Sequence, residues 1–195
     1  MKRLSAIALL ALLLFPVLLH AEDMQLARMS VGVMGGSVAA GGCGTQSTMV
    51  TQTTNNASST EVYGANVVGQ SFLADGGQVY SITINVSNMN GGAGGTLRLL
   101  LDSDSSLSDA VYYKDLSVTA TGNYEFIFTT PVQTTSATWY FAVQAQGFYY
   151  ANRINLGGSS TSTYADGVEY FGASLDGMST IPEADLYFTV KKCGS

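Results

Sequence analysis

The stretch VYSITINVS (79–87) alternates apolar and polar residues with a period of two. In an extended strand, successive side chains point to opposite faces, so one face becomes apolar and the other carries hydroxyls and amides. The apolar face consists of Tyr80, Ile82, Ile84 and Val86. A helix would scatter these side chains because its period is 3.6 residues. The stretch therefore predicts a β-strand that buries one face.

The same alternation recurs along much of the chain. It continues in TLRLLLD (96–102), AVYYKDLSV (110–118), TGNYEFIFTT (121–130), ATWYFAVQAQ (137–146) and ADLYFTVKK (184–192). Further strands are expected at 66–73, 149–155 and 167–171, which brings the count to about nine or ten. Each strand has one apolar face to bury, and this favours two packed antiparallel sheets. The sequence predicts an all-β, jelly-roll-like antiparallel β-sandwich, with an immunoglobulin-like sandwich as the alternative.

The first 21 residues have the layout of a secretory signal peptide. Lys2 and Arg3 precede an almost unbroken apolar run, and the small residue Ala21 stands before two acidic residues. The run is somewhat shorter than the roughly 20 apolar residues that span a bilayer, which favours cleavage after Ala21 over an uncleaved anchor. We therefore expect a secreted or cell-surface protein with no membrane span after signal cleavage.

The composition argues against several classes of function. Two of the eight basic residues, Lys2 and Arg3, lie in the signal peptide, so six remain against fourteen acidic residues. This balance argues against a nucleic-acid partner, whose phosphates require a basic surface. The single histidine, His20, also lies in the signal peptide. The mature chain therefore lacks the commonest general base and the commonest zinc ligand.

Residues 22–60 are predicted to form a lead-in rich in glycine, serine and threonine, and residues 61–193 the sandwich domain. A first short strand is expected near 47–52. The part MSVGVMGGSVAAGG (29–42) is more apolar than a linker, so it is interpreted as an ordered covering segment or as a contact to another subunit. The second interpretation corresponds to a structural or assembly protein of an extracellular or surface complex.

The two cysteines are expected to form a disulfide. Cys43 and Cys193 lie near opposite ends of the mature chain, and exported proteins fold where disulfides persist. The bridge would tie the N-terminal segment to the last strand. Small residues just before Cys43 leave open a second interpretation, in which this cysteine is acylated.

Three short motifs resemble a known group of exported proteins. GQSF (69–72) precedes an alternating strand, YADG (164–167) follows a polar loop, and EADLYFTV (183–190) closes the predicted domain. Together they resemble the bacterial β-sandwich modules called choice-of-anchor domains, particularly type R. The resemblance covers 62–190. It implies a jelly-roll-like domain of secreted or surface-displayed proteins, usually without a known activity.

The acidic loop DSDSSLSD (102–109) is a candidate calcium site. EF-hand spacing, counted from the first aspartate, requires glycine and a bidentate glutamate where the chain has Leu107 and Tyr113. This excludes an EF-hand and leaves open a site completed by oxygens from another loop. Its ligands would be Asp102, Asp104 and Asp109. The alternative is a solvated turn whose side chains cap the backbone.

The cluster GFYYANRINLGG (147–158) and the tyrosines after it form a candidate glycan site. Flat aromatic faces suit the C–H surfaces of a pyranose, and amide or charged side chains suit its hydroxyls. The predicted ligand-binding residues are Tyr149, Tyr150, Asn152, Arg153, Tyr164 and Tyr170. The alternative is that these tyrosines face the core or brace neighbouring strands.

No catalytic residues are predicted. Glycoside hydrolysis needs two carboxyl groups flanking one cleft, and the spacing of the available acids gives no reason to pair any two. The acids considered are Glu125, Asp166, Glu169 and Asp185. We therefore expect a non-catalytic module that binds extracellular polysaccharide or a surface protein, with calcium as the one cofactor considered. A glycan-active hydrolase or lyase is the weaker alternative.

Overall fold

A computed structural model describes residues 43–92 and 94–194. The described chain forms thirteen strands in two antiparallel sheets, so the predicted all-β sandwich is confirmed. The strands are β1 (Gln46–Gln52), β2 (Ala57–Val62), β3 (Val67–Leu73), β4 (Gln78–Met89), β5 (Gly95–Asp102), β6 (Tyr112–Val118), β7 (Gly122–Gln133), β8 (Thr138–Gln146), β9 (Ile154–Ser159), β10 (Glu169–Gly172), β11 (Ser179–Ile181), β12 (Asp185–Leu186) and β13 (Phe188–Cys193). Short 3₁₀ turns lie at Leu107–Asp109, Tyr150–Asn152 and Leu175–Gly177.

The chain passes repeatedly from one sheet to the other. The first sheet has the order β1-β13-β4-β9-β12, with β2 also paired to β9 and β7 to β4. The second sheet has the order β11-β10-β3-β8-β5-β6. Strands that are consecutive along the chain, such as β3 and β4 or β7 and β8, therefore lie in different sheets, as in a jelly roll.

The main core lies between the sheets, where the apolar faces predicted from the alternation meet. Ile82, Phe126 and Phe141 are completely buried there. One predicted core position is wrong. The pairing of β4 with β7 shifts register between Val79 and Ser81, so Val79 is buried and Tyr80 is half-buried. An irregularity of this kind lets one strand change which side chains face inward.

The sheets begin before the predicted domain boundary at residue 61. The predicted lead-in contains β1 and the first part of β2, which crosses the boundary, and β1 pairs with β13 along its length. The predicted disulfide is confirmed, since Cys43 and Cys193 are bridged next to this pairing. The predicted signal peptide and the apolar segment 29–42 lie outside the described residues.

A second, smaller apolar cluster lies on the outer face of the second sheet. It consists of Val67, Leu100, Leu107 and Ala142. Leu107 comes from the loop after β5, and partly buried side chains near the last 3₁₀ turn pack against the same cluster. We call this group the outer cluster. It covers part of a sheet face that would otherwise be exposed.

Candidate functional site

Tyr149 and Tyr150 are the most exposed tyrosines in the described chain, with 72% and 63% of their surface accessible. They lie on the connection between β8 and β9. Gly147, the first residue after β8, has φ at +87°, a backbone conformation that favours glycine. Phe148, the next residue, is buried. The connection therefore places one aromatic ring in the core and two outside it.

Phe148 docks this connection onto the start of β5. A Cβ atom at Gly95 would lie 2.6 Å from Phe148 Cε2, so the ring fills space that any other residue at that position would need. Phe148 O accepts a hydrogen bond from Gly64 N at 2.8 Å, which ties the connection to the loop after β2. Both contacts fix the position from which the exposed tyrosines project.

Hydrogen bonds close the turn that follows. Asn152 Oδ1 accepts a bond from Tyr149 N at 2.6 Å, and Asn152 N donates to Tyr149 O at 3.0 Å. Arg153 Nη1 donates to Tyr150 O at 3.0 Å. These bonds make a 3₁₀ turn at Tyr150–Asn152, where the sequence had predicted a strand over 149–155. The prediction was wrong for 149–153, where a side-chain amide competes locally with strand pairing, and the strand begins only at Ile154.

The turn between β4 and β5 supports the tyrosines from a second side. Asn90 N donates to Arg153 O at 2.9 Å. Gly91 has φ at +80°, and a Cβ atom there would lie 2.5 Å from Ala151 O. Glycine is therefore required at this position both by the backbone conformation and by the close approach.

The Tyr150 ring has two defined neighbours. The Tyr63 ring meets it edge-on, with centroids 5.4 Å apart and planes at 76°. The Arg153 guanidinium lies 4.5 Å from its centroid in a cation–π contact. One face of Tyr150 is thus occupied by Arg153, and Tyr149 carries the more accessible ring.

Arg153 is also held by Glu61 of β2, whose Oε1 accepts a hydrogen bond from Arg153 Nε at 2.6 Å. This bond raises the pKa of Arg153 above its usual value, so the guanidinium stays charged and is neutralised locally by Glu61. Other described cations are also paired with acids. These pairs are Arg98–Asp115, Lys191–Glu125 and Lys192–Asp75.

The other two predicted glycan residues lie elsewhere. β3 pairs with β8 over a length of roughly 20 Å. At one end of this pairing Val67 lies opposite Gln144, and at the other end Leu73 lies opposite Thr138. The Tyr149 turn follows the Gln144 end of β8, whereas Tyr164 OH accepts a hydrogen bond from Leu73 N at 3.0 Å. Tyr164 therefore lies near the opposite end of the second sheet.

The rings of Tyr164 and Tyr170 pack against other aromatic side chains of the sandwich. The Tyr164 ring packs edge-on against Phe188, with centroids 5.5 Å apart, and the Tyr170 ring packs against Tyr140 at 5.8 Å. Burial raises the pKa of both phenols. The structure thus brings together Tyr149, Tyr150, Asn152 and Arg153, and it separates Tyr164 and Tyr170 from them.

The acidic loop forms a turn that anchors Leu107. Asp102 Oδ1 accepts a hydrogen bond from Ser103 N at 2.6 Å, and Asp104 Oδ1 accepts one from Ser106 N at 2.7 Å. Among the residues that the structure describes, no group of three or more acidic, histidine or cysteine side chains is arranged to hold a metal ion. The geometry favours the turn over the calcium site predicted at Asp102, Asp104 and Asp109.

The acids considered for hydrolysis lie in different surroundings. Asp185 and Glu169 are buried, at 0% and 1% exposure, whereas Asp166 is exposed. Glu125 accepts hydrogen bonds from Ser81 Oγ at 2.7 Å and Lys191 Nζ at 2.9 Å. A carboxyl group without solvent access cannot meet a polysaccharide, so Asp185 and Glu169 are poor candidates for an acid–base pair.

Sequence reasoning missed several residues that build the site. The turn at 149–153 is contacted by Glu61 on β2 and by three residues of two other connections, Tyr63, Asn90 and Gly91. A usable signal in the sequence is the glycine-rich tract NMNGGAGG (88–95), because adjacent glycines are typical of turns. The partners of that turn depend on long-range strand pairing, which a single sequence does not show.

No protein-family model matches the chain, and no curated protein matches it significantly. Within the described residues, no helix has the length and apolar character needed to cross a membrane. The resemblance to choice-of-anchor domains thus stays a prediction from three short motifs.

Proposed function

We propose that the chain is a non-catalytic module, secreted or displayed on a bacterial surface, that binds extracellular glycan through the turn at 149–153. The observation that carries the proposal is that Tyr149 and Tyr150 are exposed on a turn whose backbone is held by hydrogen bonds. Aromatic side chains on a mobile loop would lose conformational entropy on binding a ligand, and those on an ordered turn lose little.

The exposure of these rings is itself unfavourable without a ligand. A tyrosine ring left in water forgoes on the order of 1 kcal/mol or more of hydrophobic stabilisation that burial would give. Two consecutive residues, Tyr149 and Tyr150, forgo this stabilisation, whereas the neighbouring Phe148 is buried. Adjacent exposed aromatic residues on an ordered turn are typical of binding surfaces.

The chemistry of the turn suits a neutral sugar. The accessible Tyr149 ring offers a flat apolar face to pyranose C–H groups, and Asn152 and Tyr150 offer amide and hydroxyl groups for its hydroxyls. Arg153 is engaged by Glu61 and by the Tyr150 ring. The chain as a whole carries a net charge of −6, which disfavours acidic polysaccharides.

A glycan-array screen of the mature protein tests this proposal, with calcium present in one arm and chelated in the other. We expect binding to neutral glycans, and Tyr149→Ala should weaken it roughly tenfold or more, as loss of an aromatic anchor does. The matched control is Tyr112→Ala, because Tyr112 is an exposed tyrosine on β6. Failure to bind any glycan, or equal losses in the two variants, would contradict the proposal.

A further inference from the structure

The outer face of the second sheet is covered in one part and open in another. On β5, alternate leucines point into the main core, and the residues between them point outward. Leu100 is covered by the outer cluster, whereas Thr96 and Arg98 remain partly exposed. The open part of the face therefore lies toward the Gly95 end of β5. On the core side of that end, Phe148 docks the turn at 149–153, which we call the tyrosine turn.

Strand pairing places polar side chains in two rows across this open part. In antiparallel strands, directly opposed residues project from the same face. The first row is Gln146, Thr96 and Ser117, and the second is Gln144, Arg98 and Asp115. The next row leads into the outer cluster and consists of Ala142, Leu100 and Tyr113. Two amides, two hydroxyls and the Arg98–Asp115 ion pair thus lie between the Gln146 end of β8 and Tyr113.

The side chains of these rows are held in place. Gln146 Nε2 donates to Gln144 Oε1 at 3.1 Å. Arg98 makes two hydrogen bonds of 2.8 Å to the Asp115 carboxylate, and its guanidinium lies 4.5 Å from the Tyr113 ring centroid. Tyr113 remains 55% exposed. The arrangement repeats that of the tyrosine turn, in which a carboxylate fixes an arginine against an exposed tyrosine.

The outer-face rows connect the strand end that precedes the tyrosine turn with Tyr113. Gln146 is three residues before Tyr149 on the chain, and Ala142 lies in the same row as Tyr113. The distance along β8 from Gln146 to Ala142 is roughly 14 Å. A single sugar ring on Tyr149 would not reach Tyr113 across this length, whereas a linear chain of several units would.

We propose that the glycan site extends from Tyr149 along the outer face of the second sheet to Tyr113, and that its ligand is a linear neutral polysaccharide. This inference rests on the proposed function and specifies the length and charge of the ligand. The amides of Gln144 and Gln146 bind hydroxyls along the chain, and Tyr113 stacks on a distal sugar unit. Because Asp115 neutralises Arg98, this surface gives an acidic chain no net attraction.

Calorimetric titration with oligosaccharides of increasing length tests the inference. The probes are the disaccharide, tetrasaccharide and octasaccharide of β-glucan, mannan and xylan. We expect wild-type affinity to rise with length. Tyr113→Ala and Gln144→Ala should each weaken octasaccharide binding several-fold and leave disaccharide binding unchanged, whereas Tyr149→Ala should weaken both.

Tyr112→Ala is again the matched control, since Tyr112 precedes Tyr113 on β6 and alternation directs it to the other face. It should bind every probe as the wild type does. If Tyr113→Ala and Gln144→Ala bind the octasaccharide normally while Tyr149→Ala does not, the extended site is wrong and the glycan function stands. If the wild type binds no probe of any length, both proposals fail.

Discussion

Gln70 Nε2 donates a hydrogen bond to Asp185 Oδ1 at 3.1 Å, and both residues are completely buried. The other carboxylate oxygen of Asp185 accepts bonds from Thr163 N at 2.7 Å and Tyr164 N at 2.8 Å. Gln70 Oε1 accepts a bond from Leu186 N at 2.9 Å. A central strand, the last strands and the loop after β9 are therefore joined through one buried polar group.

Replacing Asp185 by Ala should destabilise the fold by about 3 kcal/mol or more. The change removes the acceptor of two backbone N–H groups and of one amide hydrogen of Gln70, whose Nε2 keeps its bond to Ser71 O, and each buried donor left unsatisfied costs about 1–3 kcal/mol. Urea unfolding measures the loss. Asp166→Ala, an exposed aspartate in the neighbouring loop, is the control and should change stability little. Equal midpoints for the two variants would refute the role assigned to Asp185.

This contact explains in part why three separated motifs stood out in the sequence. Gln70 belongs to GQSF, Tyr164 to YADG and Asp185 to EADLYFTV, and the structure brings all three together. The alternation predicts the sandwich because the pattern of apolar residues within each strand indicates which of its faces is buried. A polar contact between residues more than 100 positions apart has no such local signal. The three motifs are therefore visible in the sequence, but the contact between them is not.

Gly91→Ala should disturb the tyrosine turn, whereas Gly92→Ala should not. Both glycines have positive φ, at +80° and +67°, so either change strains the backbone by about 1 kcal/mol. At Gly91 the new Cβ would also lie 2.5 Å from Ala151 O, and at Gly92 nothing lies within 4 Å. We expect chemical-shift changes in the amides of Tyr149 and Tyr150 for the first variant. Unchanged tyrosine amides in Gly91→Ala would show that this support is unimportant.

The sequence predicts the residues of the candidate site that are adjacent on the chain, and it does not predict their partners from other strands. The exposed pair Tyr149 and Tyr150 was chosen from the density of aromatic and amide residues, and Asn152 and Arg153 do lie beside them. Tyr164 is near these residues in sequence, but the chain passes repeatedly between the two sheets, so proximity along the chain does not predict proximity in space. The sequence does not predict that the outward face of β5 belongs to a binding surface, because the strands that flank β5 depend on the strand order in the sheet.

Glu125 should make stability depend on pH on the acid side. The Ser81 hydroxyl and the Lys191 ammonium lower the pKa of Glu125 below its ordinary 4.5. A lowered folded-state pKa contributes stability that is present above the unfolded-state pKa and is lost as pH falls through the folded-state value. Thermal unfolding of Glu125→Gln should therefore show a lower Tm than wild type at neutral pH and the same Tm in strong acid. Glu183→Gln, at an exposed position, is the control, and a pH-independent deficit in Glu125→Gln would contradict the linkage.

Leu107→Ala should destabilise the fold by about 2–4 kcal/mol, because it removes a buried leucine from the outer cluster and leaves a cavity. Leu73→Ala is the control, since Leu73 is 47% exposed and its truncation should cost less than about 1 kcal/mol. Urea unfolding distinguishes this role of the acidic loop from one that depends on its carboxylates. If the aspartates held the loop through their hydrogen bonds, Asp104→Ala would lower stability as much as Leu107→Ala. We expect it to lower stability far less, because the bond that Asp104 accepts from Ser106 N is exposed and water can replace the lost acceptor.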